Sequence, residues 1–95
     1  MGIEKIIKKL LSQPTEMRIN EIVLILLHFG YRLVNIKGSH YHFKRQGKPF
    51  VIVPTHRKKV SRYYIKDICK ALSDELNLNK YEKKSIRIVY IKRYQ

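Results

Sequence analysis

Between Tyr31 and Val53 the chain spells three runs of β-forming residues divided by two glycine turns. Tyr31-Arg32-Leu33-Val34-Asn35-Ile36 comes first, Lys37-Gly38-Ser39 breaks it, and His40-Tyr41-His42-Phe43-Lys44 follows. Gln46-Gly47-Lys48 makes the second turn, ahead of Pro49-Phe50-Val51-Ile52-Val53. A parallel strand pair needs a crossover of a dozen or more residues. Turns this short leave only an antiparallel meander. Such a sheet calls for apolar helices to cover one of its faces.

Such helices are present. Ile3 to Leu11 places Ile3, Ile6, Ile7, Leu10 and Leu11 at helical spacing with Lys5, Lys8 and Lys9 between them, and Pro14 closes the segment. A second helix is expected from Asn20 as N-cap, with Glu21 near its positive end and Gly30 as its left-handed stop. It is apolar nearly all round, which predicts a central core helix containing a structural His28. Pro54 to Lys59 reads as a basic loop. A third helix opens near Ser61 and presents Tyr64, Ile65, Ile68, Cys69, Leu72 and Leu76. The order α-α-β-β-β-α is an α+β fold, a three-stranded antiparallel sheet with helices. Residues from Leu78 to Gln95 alternate weakly between Ser85 and Tyr94 and fit either a further strand or an unstructured end.

A chain of 95 residues supports one domain with one modest core. Its 21 Lys and Arg against 7 Asp and Glu give a formal charge of +14, which calls for a polyanionic partner. The single cysteine, Cys69, excludes an internal disulfide and a cysteine zinc site. The longest apolar run, Ile22 to Leu27, is too short to span a membrane. No apolar signal core stands at the N-terminus and no glycine-rich phosphate loop occurs, so a cytoplasmic protein that is not a P-loop hydrolase is expected.

The most informative chemical feature is a gap. No Asp or Glu lies between Glu21 and Asp67, and that interval holds all four histidines, His28, His40, His42 and His56. Nucleases that use hard divalent cations hold them with carboxylates. The sheet offers none, so chemistry on a polyanion here falls to histidines for proton transfer and to Lys or Arg for charge. That is the equipment of metal-independent RNA cleavage, in which a base activates the ribose 2′-OH and a cation stabilises the phosphorane. His40 and His42 share one face of a strand while Tyr41 and Phe43 take the core side. Gly38 and Ser39 shape the turn ahead of His40 and are placed to meet a phosphate. Lys37 and Lys44 are the nearest cations, and Arg57, Lys58 and Lys59 are set to hold flanking phosphates. A zinc site from His40, His42 and His56 is the competing use of these side chains, but it lacks an evident carboxylate to orient its ligands. Tyr63 is the better candidate for exposure in the pair Tyr63-Tyr64.

Taken together, Gly30-Tyr31, Lys37-Gly38-Ser39-His40 with Tyr41-His42-Phe43, Pro54-Thr55-His56-Arg57-Lys58 and the helix at Arg62-Tyr63-Tyr64-Ile65 resemble the HicA family, toxins of HicAB toxin–antitoxin modules. The likeness runs from about Ile19 to Leu76. It implies a fold like a double-stranded-RNA-binding domain with helices packed on one face of the sheet, occupying residues 1–78 and leaving 79–95 as a tail. It implies an mRNA interferase, an endoribonuclease of a type II system that uses no cofactor. Its catalytic histidine falls on His40, and its neutralising partner is a HicB antitoxin whose contact surface is expected to be acidic. Two rivals stand beside it. A non-catalytic RNA-binding module would bind without cutting. A binder of anionic membranes through the basic N-terminal helix is the other, although that helix is short for the purpose.

Overall fold

A computed structural model describes residues 2–76; the weakly alternating segment from Leu78 to Gln95 lies outside the described residues. The element order is α1 (Ile3–Leu11), β1 (Glu16–Arg18), α2 (Ile19–His28), β2 (Arg32–Lys37), β3 (His40–Lys44), β4 (Val51–Pro54), β5 (Lys59–Ser61), α3 (Arg62–Ala71) and α4 (Ser73–Leu76). Strands β2, β3 and β4 form the expected antiparallel sheet in that order. The register pairs Leu33 with Phe43, Ile36 with Tyr41, Tyr41 with Val53 and Phe43 with Val51. Buried Tyr41, Phe43 and Val53 are the sheet's share of the core. They pack with Ile22, Ile25 and Leu26 of α2 and with Ile65 and Ile68 of α3 in one cluster. The fold is α+β, as the meander requires.

Helix α1 buries Ile6, Ile7 and Leu10 against α2 and α3. Its apolar stripe is therefore used by the core and is not free to enter a membrane. Among the described residues no helix is long and apolar enough to cross one.

Four expectations are corrected. First, α2 begins at Ile19 with Arg18 as N-cap, not at Asn20. The Ile19 side chain is buried, and its N–H donates to the Lys58 carbonyl at 2.9 Å. Glu21 thus falls at the third helical position, where its carboxylate accepts the Arg18 N–H at 3.1 Å. Second, α2 is not buried on all sides. Leu24 and Leu27 stay about half exposed at 50% and 46%, and His28 is a surface residue stacked edge-on against Phe29 at 5.0 Å. One layer covers one face of a helix, whatever its outer face carries.

Third, residues 54 to 59 are not simply a loop. They turn through a tight hairpin into β5, which pairs with the unanticipated β1, Met17 opposite Val60. Each of these strands buries one side chain, Met17 or Val60, so neither is long enough to show alternation in the sequence. Fourth, the third helix breaks at Leu72, giving α3 and the short α4, although Leu72 and Leu76 remain buried as expected.

The end of α2 follows expectation closely. Gly30 has φ +91°, its N–H donates to the Leu27 carbonyl, and the Tyr31 N–H reaches back to Leu26 at 2.9 Å. This is a Schellman stop, and it turns the chain sharply into β2.

Candidate functional site

Strand β3 builds the site by alternation. Tyr41 and Phe43 point into the core, so His40, His42 and Lys44 point out. The ladder places Lys37 opposite His40 and Pro54 on its other side. Asn35 and Ile52 flank His42, and Arg32 stands opposite Lys44. His40, Lys37, Arg32 and Lys44 are exposed and His42 is half-buried. Directly opposed side chains start about 5 Å apart at Cβ, so Lys37 is the cation nearest His40 by register.

The turn before His40 is fixed from both directions. Lys37 and His40 pair across a two-residue connection, and Gly38 takes φ +61° there, as two-residue hairpins with glycine first require. Beyond the sheet, Thr55 donates twice to the Ser39 carbonyl, from its N–H and from Oγ1, both at 2.9 Å. The chain leaving β4 therefore fastens the turn that presents His40.

A second cationic region stands at the hairpin between His56 and Lys59. These two residues exchange backbone hydrogen bonds of 2.8 and 3.0 Å. Between them Arg57 and Lys58 both take positive φ, +54° and +65°. Such a turn ordinarily uses Asn or Gly, so two long cationic side chains are held here in a conformation that costs about 1–2 kcal/mol per residue. Together with Arg18, Ile19 and Asn20 they line an open cleft of about 390 Å³. Lys59 also lines it but is tied to Glu16 at 3.0 Å, an exposed pair.

The structure thus brings Lys37, Gly38, Ser39, His40, His42 and Lys44 together on one hairpin. It gathers Arg57, Lys58 and Lys59 at another. His40, His42 and His56 do not form a metal-binding group: among the described residues no cluster of three or more His, Cys, Asp and Glu side chains is arranged to hold an ion. Sequence reasoning missed Thr55 as the clasp on Ser39 and Arg18 as a wall of the cleft. Thr55 carries a weak signal in the Pro54-Thr55-His56 stretch. Arg18 is brought to the cleft by the β1–β5 pairing and the Ile19 hydrogen bond to Lys58, and carries none.

The far end of the β3–β4 hairpin is tied down by charge. Arg45 binds Glu75 at 2.7 Å and lies 5.8 Å from the centre of the Tyr31 ring, and Lys48 reaches Asp74 at 3.4 Å. Burial raises the pKa of the Tyr31 hydroxyl above its ordinary value despite the neighbouring Arg45. Burial also pushes the Cys69 thiol up, which leaves it a core residue and not a nucleophile.

Comparison with known protein families matches residues 19–73 to HicA toxin of bacterial toxin-antitoxin. The chain belongs to the HicA toxin family. The match covers more than half of the sequence and spans α2, the whole β2-β3-β4 sheet, the 56–59 hairpin and α3. Membership makes the protein a toxin of a toxin–antitoxin module. Comparison with the curated proteins and with the solved structures gave no significant match. The helix α1 and strand β1 lie before the matched region, yet they are joined to it through Ile6, Ile7, Leu10 and Met17 in the shared core.

Proposed function

We propose that this HicA-family toxin is a metal-independent endoribonuclease that cuts messenger RNA with His40 as its acid–base group. The observation that carries the reading is the pairing of exposed His40 with Lys37 on a pinned hairpin, on a sheet face with no carboxylate among its described residues. A neutral imidazole at His40 takes the proton of a ribose 2′-OH. The 2′ oxygen attacks the adjoining phosphorus, and Lys37 stabilises the charge that builds on the phosphorane oxygens. The bond to the 5′ oxygen breaks, and a proton from solvent or from His42 completes the departing hydroxyl. The products are a 2′,3′-cyclic phosphate and a 5′-hydroxyl end. Gly38 and Ser39 shape the approach to the phosphate, while Lys44, Arg57, Lys58 and Lys59 hold the strand on either side.

An RNA carrying one 2′-deoxy nucleotide at the cleaved position tests this chemistry, with EDTA present throughout. The reading requires that the substituted strand stay whole at that bond while the all-ribose strand is cut to a cyclic phosphate. Cleavage at the deoxy position, or a 5′-phosphate product, would overturn it.

The module implies a HicB-type antitoxin as protein partner. A chain of +14 steers an acidic surface toward it. Their association should slow as salt rises, because screening shortens the reach of the field.

A further inference from the structure

The open face of the β2-β3-β4 sheet carries apolar side chains that the core does not use. Phe50 is 58% exposed and Ile52 is 48% exposed. Ile52 pairs with His42 on this face, between inward-facing Val51 and Val53. Phe50 continues the same alternation one residue before β4, and Lys44 Nζ stands 6.0 Å from the centre of its ring. Single exposed apolar residues are ordinary on a surface. Here they form a line beside cations, on the face that presents His40. Arg32, Lys37 and Lys44 border the line.

We infer that this face binds single-stranded RNA, with a base stacked on the Phe50 ring and its neighbouring phosphates held by Lys44 and Arg32. The inference rests on the reading of His40 as the reacting group only for its direction along the strand. His40 and Lys44 are four residues apart on β3, a distance of about 13 Å. The Phe50 ring lies beside Lys44, so the stacked base belongs to a flanking nucleotide and not to the one that is cut. The apolar Ile52 floors the interval between them. Charge complementarity selects a polyanion for this face, and the exposed ring selects one with free bases. A duplex keeps its bases stacked on each other and offers outward only phosphates, 2′-hydroxyls and groove edges. A single strand can turn a base onto an aromatic ring, and such stacking is tolerant of sequence.

The test uses the full chain and a fluorescent 2′-O-methyl RNA of about a dozen nucleotides, which lacks the attacking hydroxyl and can be bound without being cut. A hairpin of the same composition is the second probe, and cleavage of unmodified RNA is scored separately. Phe50 is exposed, so its replacement leaves the core untouched. Phe50→Leu should weaken binding of the single strand roughly 5- to 100-fold, and Phe50→Trp should restore it. The wild type should prefer the single strand, and hairpin binding should not respond to Phe50→Leu. Single-strand affinity within about twofold of wild type for Phe50→Leu would overturn the inference. So would hairpin binding as tight as that of the single strand. Either result leaves the His40 reading intact if wild type still cuts RNA. Phe50-dependent binding by a chain that cuts nothing would support the platform and sink the nuclease.

Discussion

The Ser39 carbonyl accepts from both the N–H and the Oγ1 of Thr55, each at 2.9 Å, so the turn in front of His40 is clasped by the end of β4, the strand next to β3. Thr55→Val removes the hydroxyl and keeps the volume. A hydrogen bond of this kind contributes about 1 kcal/mol, so a urea titration should show a loss of that order. Cleavage should fall further than stability does, because the turn sets the height of the imidazole over the sheet. The expected signature is a reduced kcat with little change in KM. Unchanged kcat in a folded Thr55→Val would separate the clasp from the chemistry.

The strained hairpin at Arg57-Lys58 sets stability against binding. Residues of this type are poorly suited to φ +54° and +65°, and strain of this sort collects where side chains have work to do. Replacing the pair with Asn and Gly suits the turn and should stabilise the fold by about 1–2 kcal/mol. The same change removes two cations from the cleft at Arg18, and RNA binding should weaken and become less sensitive to salt. Thermal unfolding and anisotropy at two salt concentrations measure both effects. A double variant that is more stable and binds RNA with the wild-type salt slope would show that the cleft takes no phosphate.

The ion pair of Arg45 with Glu75 holds α4 to the β3–β4 hairpin. Glu75 is 8% exposed, and its Oε1 has no hydrogen-bond partner among the described residues. Glu75→Ala leaves the Arg45 guanidinium partly buried beside Tyr31 without its carboxylate. Removing one partner of such a pair costs more than the pair contributes, here about 1–3 kcal/mol. Denaturant unfolding should register that loss. A change below about 0.5 kcal/mol would place Arg45 in water with no need of the carboxylate.

Stability should also respond to acid through Glu21. Burial alone would raise its pKa, but Lys9 at 3.0 Å, the Arg18 N–H and the two positive charges together hold it below the ordinary carboxylate value. A carboxylate held low in the folded state contributes stability above its unfolded pKa. That contribution is lost as pH falls through the folded one. Glu21→Gln should therefore be less stable than wild type near pH 7, with the gap closing as the carboxylate protonates below about pH 4. Urea midpoints at neutral and acidic pH give the comparison. A gap that is the same at both would assign the loss to packing or to the N-cap hydrogen bond.

How much of this was legible in the sequence depended on the length over which a signal could repeat. Two glycine turns and three β-rich runs fixed the meander, and alternation along His40 to Lys44 put both imidazoles on the open face. Gly30 announced the end of α2 because a left-handed residue is chemically distinctive. The β1–β5 pair stayed hidden because one Met17 and one Val60 make no pattern. The N-cap of α2 was misplaced because Asn20 is the better capping residue in isolation, whereas a tertiary hydrogen bond from Ile19 to Lys58 decides the start. The gap in acidic residues leaves the three sheet strands without a carboxylate of their own. It hid the carboxylates that the fold returns to the cations, Glu16 to Lys59 and Glu75 to Arg45. Contacts of that kind join distant segments, and no local reading anticipates them.

The most direct test of the account is cleavage of end-labelled RNA by wild type and by His40→Ala in EDTA, with matched DNA as control. A positioned acid–base group contributes about 10²–10⁴-fold, and His40 is exposed, so the variant should fold normally. The account predicts scission of RNA by the wild type, none of DNA, and a loss of at least about 100-fold in His40→Ala with RNA binding retained. RNA cut at the wild-type rate by His40→Ala would contradict it.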